Sequence, residues 1–149
     1  MQRLNLPPYS IRIDRNGDAI KIFDVLRERY VSLTPEEWVR QHFTHYLIEH
    51  LGYPKALLAN ETELTVGDKH LRCDSVLYST DIQPRMIIEY KAPTITIKQK
   101  VFDQISAYNL LLHADYLIVS NGMQHFCCKM DYENQSYHFL NEIPHYSEL

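Results

Sequence analysis

The 149 residues are 45% hydrophobic and 23% charged, with only 4 Gly, a composition typical of a single folded domain with a sizeable core. The formal net charge of −4 excludes a globally basic surface, so any nucleic-acid contact has to come from a local patch or a partner. No apolar run reaches the length of a membrane span, and three cysteines, two of them adjacent, do not make a disulfide framework. We therefore expect a cytoplasmic protein without a membrane partner.

The first third of the chain predicts a small β extension followed by a helix. Residues 9–33 read as two or three short strands around an Asn-Gly turn. Residues 33–54 predict a helix, because Thr34 is suited to the N-cap position and Glu37 to the capping box. Gly52 is suited to ending that helix.

The rest of the chain predicts strands with one intervening helix. The expected elements are strands at 60–66, 70–79, 85–92 and 115–122, a helix at 97–114, and a C-terminal hairpin or meander at 124–131 and 136–142. The helix joins two strands that should be parallel, with a right-handed crossover. The expected fold class is α/β, a central mixed sheet flanked by helices. We expect one domain over 1–149, with 1–33 as an N-terminal β extension and 34–149 as the core.

The strand at 85–92 carries two charges on a face that is otherwise apolar. Side chains alternate along a strand, so Glu89 and Lys91 share a face with Ile87. In the antiparallel neighbour at 70–79, Asp74 would lie opposite Glu89, on the face expected to hold His70, Arg72, Asp74 and Val76. Two carboxylates that close repel each other unless a cation lies between them.

This arrangement predicts a metal site. Mg²⁺ or Mn²⁺ suits a pair of carboxylates with open positions for water and phosphate. Asp74 and Glu89 would hold the ion, with the backbone carbonyl of Tyr90 as a further ligand. Lys91 would orient the attacking water or neutralise charge that develops on a phosphate.

The order of these residues resembles the PD-(D/E)XK nuclease superfamily. Asp74 is followed after fourteen residues by Glu89-Tyr90-Lys91, on a strand hairpin that a helix follows. Over most of the chain, the segments LTPEEWVRQ, RCDSVLY, IIEYKAP, FDQISAYN and YLIVSNG resemble the N-terminal nuclease domain of type I restriction enzyme R subunits.

Two further elements belong to this resemblance, and one position departs from it. The superfamily often places an additional Glu on a preceding helix, which here is Glu37. Gln104 and Tyr108 resemble the Q-x-x-x-Y element of the RecB-like branch. Cys73, rather than the Pro of the name motif, precedes Asp74.

The resemblance implies a restriction-endonuclease-like fold and metal-dependent cleavage of DNA phosphodiesters, with Asp74, Glu89, Lys91, Glu37 and Gln104 as catalytic residues. The implied cofactor is Mg²⁺ or Mn²⁺. The implied partners are DNA, other restriction-system subunits and a second copy of the chain. No G-x-x-x-x-G-K-[ST] motif occurs, so ATP-driven translocation is not expected of this chain.

Other interpretations of the same residues stay open at the level of sequence. Glu89 and Lys91 could form a structural ion pair, and Asp74 could pair with Arg72. A capping box alone would explain Glu37. The chain could then be a catalytically silent DNA-binding or interaction module of the same fold, or a structural α/β domain.

Overall fold

The N-terminal strands form a small sheet of their own. The computed structural model of the chain describes residues 1–149, apart from the side chain of Tyr108. Strands β1 (Ile13–Asn16), β2 (Ala19–Asp24) and β3 (Arg29–Ser32) pair antiparallel in chain order. Three strands therefore lie within the segment for which two or three were predicted.

Helix α1 (Pro35–Glu49) begins where the sequence predicts. The Thr34 hydroxyl accepts a hydrogen bond from the amide of Glu37 at 3.1 Å, which caps the first turn. The helix ends three residues before Gly52, whose φ of +74° turns the chain away. A short 3-10 turn at Lys55–Leu57 leads into the main sheet.

Six strands and a second helix make up the rest of the fold. They are β4 (Leu58–Val66), β5 (Lys69–Tyr78), β6 (Pro84–Tyr90), α2 (Gln99–Leu112), β7 (Tyr116–Ser120), β8 (His125–Asp131) and β9 (Ser136–Leu140). The sheet order follows the chain from β4 to β9, and β6 and β7 are its parallel pair. The predicted mixed α/β class is confirmed. In the described part of the chain, neither helix is long and apolar enough to cross a membrane.

The main sheet has a core on each face. Along β6, Ile88 packs in the core that contains Val39 and Phe43 of α1. Its neighbour Ile87 packs in the core that contains Phe102 of α2. Successive β6 side chains therefore point to opposite faces, as expected for a strand covered on both sides.

The hairpin of β4 and β5 bends halfway along its length. β6 pairs with β5 from Ser75 onward, whereas residues 69–73 pair with residues 62–66 of β4. We call these two segments the ribbon. At the bend, Glu61 has a φ of +51°, in the left-handed region.

The bend corrects one prediction about β5. Cys73 and Val76 pack in the same core although they are three positions apart, which strict alternation does not allow. His70 and Arg72 therefore do not share the face of Val76. The change of face occurs around Asp74.

A buried carboxylate joins the small sheet to the main sheet. Asp24 at the end of β2 is fully buried and accepts a hydrogen bond from the Asn60 side chain of β4 at 3.2 Å. It also accepts bonds from the amides of Leu26 and Arg27, at 2.8 and 3.1 Å, and from the Arg27 guanidinium. These bonds hold the β2–β3 turn against the main sheet, close to the start of α1.

Candidate active site

A cleft of about 530 Å³ opens where α1 begins, the β4–β5 hairpin bends and β6 ends. The structure brings Asp74, Glu89, Tyr90, Lys91 and Glu37 together along its wall. Its other charged lining residues are Arg27, Glu36, Arg40, Glu61 and Arg72. The cleft therefore combines carboxylates with guanidinium and ammonium groups in one polar space.

The strand register places the two central carboxylates opposite each other. Ser75 pairs with Ile88, so the next residues outward along the two strands are Asp74 and Glu89. The amide of Tyr90 donates a hydrogen bond to the Asp74 carboxylate at 2.9 Å. That bond fixes Asp74 against the end of β6, next to Glu89. The predicted proximity of Asp74 and Glu89 is thus present in the structure.

Glu89 is held in an environment that disfavours its charge. Burial, and then the neighbouring Asp74 carboxylate with which it shares a hydrogen bond, raise the pKa of Glu89 well above its ordinary range. Lys91 and Arg40 act in the opposite direction but do not cancel the effect. A cation between the two carboxylates would remove this penalty.

The donor set fits a hard divalent cation with few protein ligands. Asp74 and Glu89 supply carboxylate oxygens, which Mg²⁺ and Mn²⁺ prefer, and the cleft has room for water ligands. Among the residues that the structure describes, no three His, Cys, Asp or Glu side chains are grouped to hold a metal ion. The protein's side chains would therefore supply two ligands, as the sequence predicts.

Glu37 does more than cap a helix. Its amide is capped by Thr34, but its carboxylate is buried and accepts hydrogen bonds from Arg27 at 2.7 Å and from Gln41 at 3.0 Å. Arg40 lies 3.5 Å from the same carboxylate. A capping box therefore does not account for this side chain, which faces the cleft between two guanidinium groups.

Sequence reasoning missed the basic side chains that balance the carboxylates. Arg40 is buried, and its guanidinium contacts Glu61 and lies 3.8 Å from Asp74. Burial lowers the pKa of Arg40, but Glu37 and Glu61 raise it more, so the group remains a fixed cation. Its position one turn after Glu37 on α1 could have indicated it, because residues three apart share a helix face.

Cys73, the departure from the name motif, has no chemical role in the cleft. Its side chain is buried, and burial, followed by Glu89 and Asp74, raises the pKa of the thiol to about 12. It packs as a small apolar group in the α2 core.

Comparisons with known proteins show the family of the chain and a similar fold. The family model described as "Type I restriction enzyme R protein N terminus (HSDR_N)" matches residues 35–144. The chain belongs to this family. A fragment assigned to the HsdR subunit of a type I restriction enzyme from Vibrio vulnificus YJ016 matches with a TM-score of 0.54 and 21% identity. The match covers 75% of this chain and 24% of that one, and it shows similarity of fold. No curated protein matches.

The matched residues 35–144 include Asp74, Glu89 and Lys91, but not every residue that lines the cleft. Arg27, which holds Glu37, lies before the matched residues.

One predicted site residue of the family segment lies elsewhere. Gln104 is exposed on α2 and is absent from the cleft lining, so its role stays a prediction without structural support. The predicted packing of Tyr108 concerns a side chain outside the described residues.

Proposed function

We propose that this R protein N-terminal domain is a metal-dependent endonuclease that hydrolyses DNA phosphodiester bonds. We assign it to the PD-(D/E)XK superfamily and to the restriction-endonuclease-like fold. The observation that carries the proposal is the meeting of Asp74, Glu89 and Lys91 in one cleft, where a bound cation would favour the charged form of Glu89.

Asp74 and Glu89 would hold Mg²⁺ or Mn²⁺, with the backbone carbonyl of Tyr90 as a further ligand. A divalent ion bound there would supply a nucleophilic water and neutralise negative charge on the phosphate. The hydrogen bond from the Tyr90 amide to Asp74 keeps that carboxylate in place as the ligand, which preorganises the site.

Lys91 follows the metal-binding pair and has a different task. Its backbone amide is bound to the carbonyl of Ser120 at 2.9 Å, which anchors the chain directly beyond β6. The ammonium would then orient the attacking water and stabilise charge that develops on the phosphate oxygens. Glu37 would hold a water at the edge of the site, and Gln104 would contact substrate from α2.

Plasmid cleavage tests the proposal. Supercoiled plasmid is incubated with Mg²⁺ or with EDTA, using the wild-type protein and Lys91→Met at equal concentration. We expect nicking by the wild type in Mg²⁺ alone, and a rate lower by about 10²–10³ for Lys91→Met, because a preorganised transition-state donor is lost. Equal nicking by both proteins would place the chemistry elsewhere.

A second candidate is a silent DNA-binding or interaction module within a restriction complex. The observation that favours it is the small number of ligands, since the described side chains offer two carboxylates and no third ligand grouped with them. Metal binding without nicking by the wild type would support this function. Its partners would then be the other restriction-system subunits.

A further inference from the structure

We propose that Glu61 is a positioning residue that orients Arg72 to contact a DNA phosphate at the mouth of the cleft. Glu61 lies at the bend of the hairpin and lines the cleft together with Arg40 and Arg72. The proposal rests on the proposed function in one respect, that DNA is the ligand of this cleft.

The first observation is the backbone of Glu61. It has a φ of +51° inside β4, whereas the other described non-glycine residues with positive φ lie in turns or at a helix end, namely Glu28, Ile82, His113 and Gln135. For a side chain other than glycine this conformation is strained. Such strain is retained where it directs a side chain to a particular place.

The second observation is what the Glu61 carboxylate holds. From the interior it accepts a hydrogen bond from the buried guanidinium of Arg40. From the exterior it accepts one from Nε of Arg72 at 2.7 Å, and Nη2 of Arg72 lies close to the same oxygen. Arg40 fixes the carboxylate, and the carboxylate in turn fixes Arg72.

Fold stability does not explain the outer contact. The Arg72 side chain is 78% exposed, and solvent screens an ion pair in that position, so the pair adds little to stability. The contact instead holds an exposed guanidinium in one orientation at the opening of the cleft.

A phosphate is the ligand that matches an exposed guanidinium held in one orientation. A guanidinium offers a planar set of N–H donors that suits phosphate oxygens, and an exposed Arg held in one orientation loses little entropy on contact. Arg72 is two residues from Asp74, so a DNA backbone bound to Arg72 would pass Asp74 and Glu89. The acidic chain would thus bind DNA through a local basic feature.

The experiment measures binding of a fluorescent DNA duplex by anisotropy. Every protein carries Lys91→Met, and the buffer contains Mg²⁺, so that the duplex stays intact; a gel verifies this. Arg72→Gln, Arg72→Lys and Glu61→Gln are compared with Arg15→Gln. Arg15 is an exposed arginine on β1 that does not line the cleft, which makes it the matched control.

We expect Arg72→Gln to weaken binding about tenfold and to lower the salt dependence, the slope of log Kd against log salt, by about one. Arg72→Lys should keep the salt dependence but recover only part of the affinity, because it lacks the planar donor set. Arg15→Gln should change neither quantity.

Glu61→Gln separates positioning from net charge. Removal of a negative charge should by itself tighten DNA binding. Loss of the contact that orients Arg72 should weaken it. We expect weaker binding by the folded variant, with a lower melting temperature because buried Arg40 loses a charged acceptor. Because Arg72 is exposed, the Arg72 variants decide the DNA contact even where Glu61→Gln does not fold.

Equal affinities for Arg72→Gln and Arg15→Gln would overturn the DNA contact while leaving the proposed function intact. Tighter binding by folded Glu61→Gln would overturn the positioning role. If the protein with Lys91→Met alone does not bind the duplex, both this inference and DNA as the ligand are wrong.

Discussion

Two facing carboxylates determine the electrostatics of the cleft at the scale of single residues. The Tyr90 amide fixes Asp74 by a hydrogen bond. Glu89, near the end of β6, shares a hydrogen bond with the Asp74 carboxylate. Without a cation, the raised pKa of Glu89 favours its protonated form, hydrogen-bonded to Asp74, and a cation that shared their oxygens would allow both groups to be charged. We therefore expect occupancy of this site to affect both stability and chemistry.

Asp74→Ala should abolish divalent metal binding, since it removes one of the two proposed carboxylate ligands, the one that the Tyr90 amide orients. Isothermal titration with Mn²⁺ measures this directly. Asp81→Ala is the matched control, because Asp81 is an exposed carboxylate in the turn before β6. An unchanged isotherm for Asp74→Ala would remove the metal site from the proposed function.

Glu37 and Glu36 provide a comparison within one helical turn. Both are acidic residues at the start of α1, so both interact similarly with the helix dipole, but Glu36 is exposed and Glu37 is buried between Arg27 and Arg40. Glu37→Gln should lower the free energy of unfolding by about 1–3 kcal/mol, because buried guanidinium groups lose a charged acceptor. Glu36→Gln should change it by less than about 0.5 kcal/mol. Urea unfolding measures both, and equal effects would mean that the buried contacts contribute nothing.

Local patterns predicted some residues of the cleft and missed others for a clear reason. Asp74, Glu89 and Lys91 follow from strand alternation and one short hairpin, which are properties of neighbouring sequence. Arg27 reaches Glu37 only because two sheets pack together, and Glu61 reaches the cleft only through a left-handed backbone. No periodicity in the sequence encodes either event.

The junction between the two sheets matters most at the scale of elements. Asp24 ends β2 and binds Asn60 of β4, while Arg27 in the following turn binds Glu37 of α1. The side chain of Asn60 in turn accepts a bond from Ser75 of β5. Three elements of the cleft are thus tied to the N-terminal sheet by buried polar bonds, which are costly to leave incomplete.

Asp24→Asn should destabilise the protein in a pH-dependent manner. Burial raises the pKa of Asp24, but hydrogen bonds from Arg27, Asn60 and Leu26 outweigh it, so the folded pKa lies below the ordinary value. A lowered folded pKa means that ionised Asp24 contributes stability above about pH 4, which is lost as pH falls through the folded pKa.

At pH 7 the loss for Asp24→Asn should be on the order of 1–3 kcal/mol. The difference from wild type should shrink as the pH is lowered below 4. Urea unfolding at a series of pH values measures it, and Asp14→Asn on the exposed strand β1 is the control. A difference that is constant with pH would show that ionisation of Asp24 does not stabilise the junction.

For the whole molecule, the strand order of the main sheet and its parallel pair follow from the sequence. Short turns predict antiparallel neighbours, and the 97–114 segment predicts the helical crossover between β6 and β7. The bend in β4–β5 depends on tertiary packing, so alternation along β5 mispredicted that His70 and Arg72 share the face of Val76. The predicted elements therefore include the strands of the main sheet but not the bend beside the cleft.

The bend in β4–β5 divides one hairpin into two parts with different neighbours. Before the bend, β5 lies between β4 and β6, whereas beyond it the ribbon is a pair of strands. A bound ion requires a fixed separation between its ligands, whereas a groove for a polymer has to tolerate variation in the polymer's shape. Asp74 stands at the boundary, anchored to β6, while Arg72 stands on the two-stranded side. In the proposed function, a single hairpin would thus hold the cation at Asp74 and present Arg72 to the duplex.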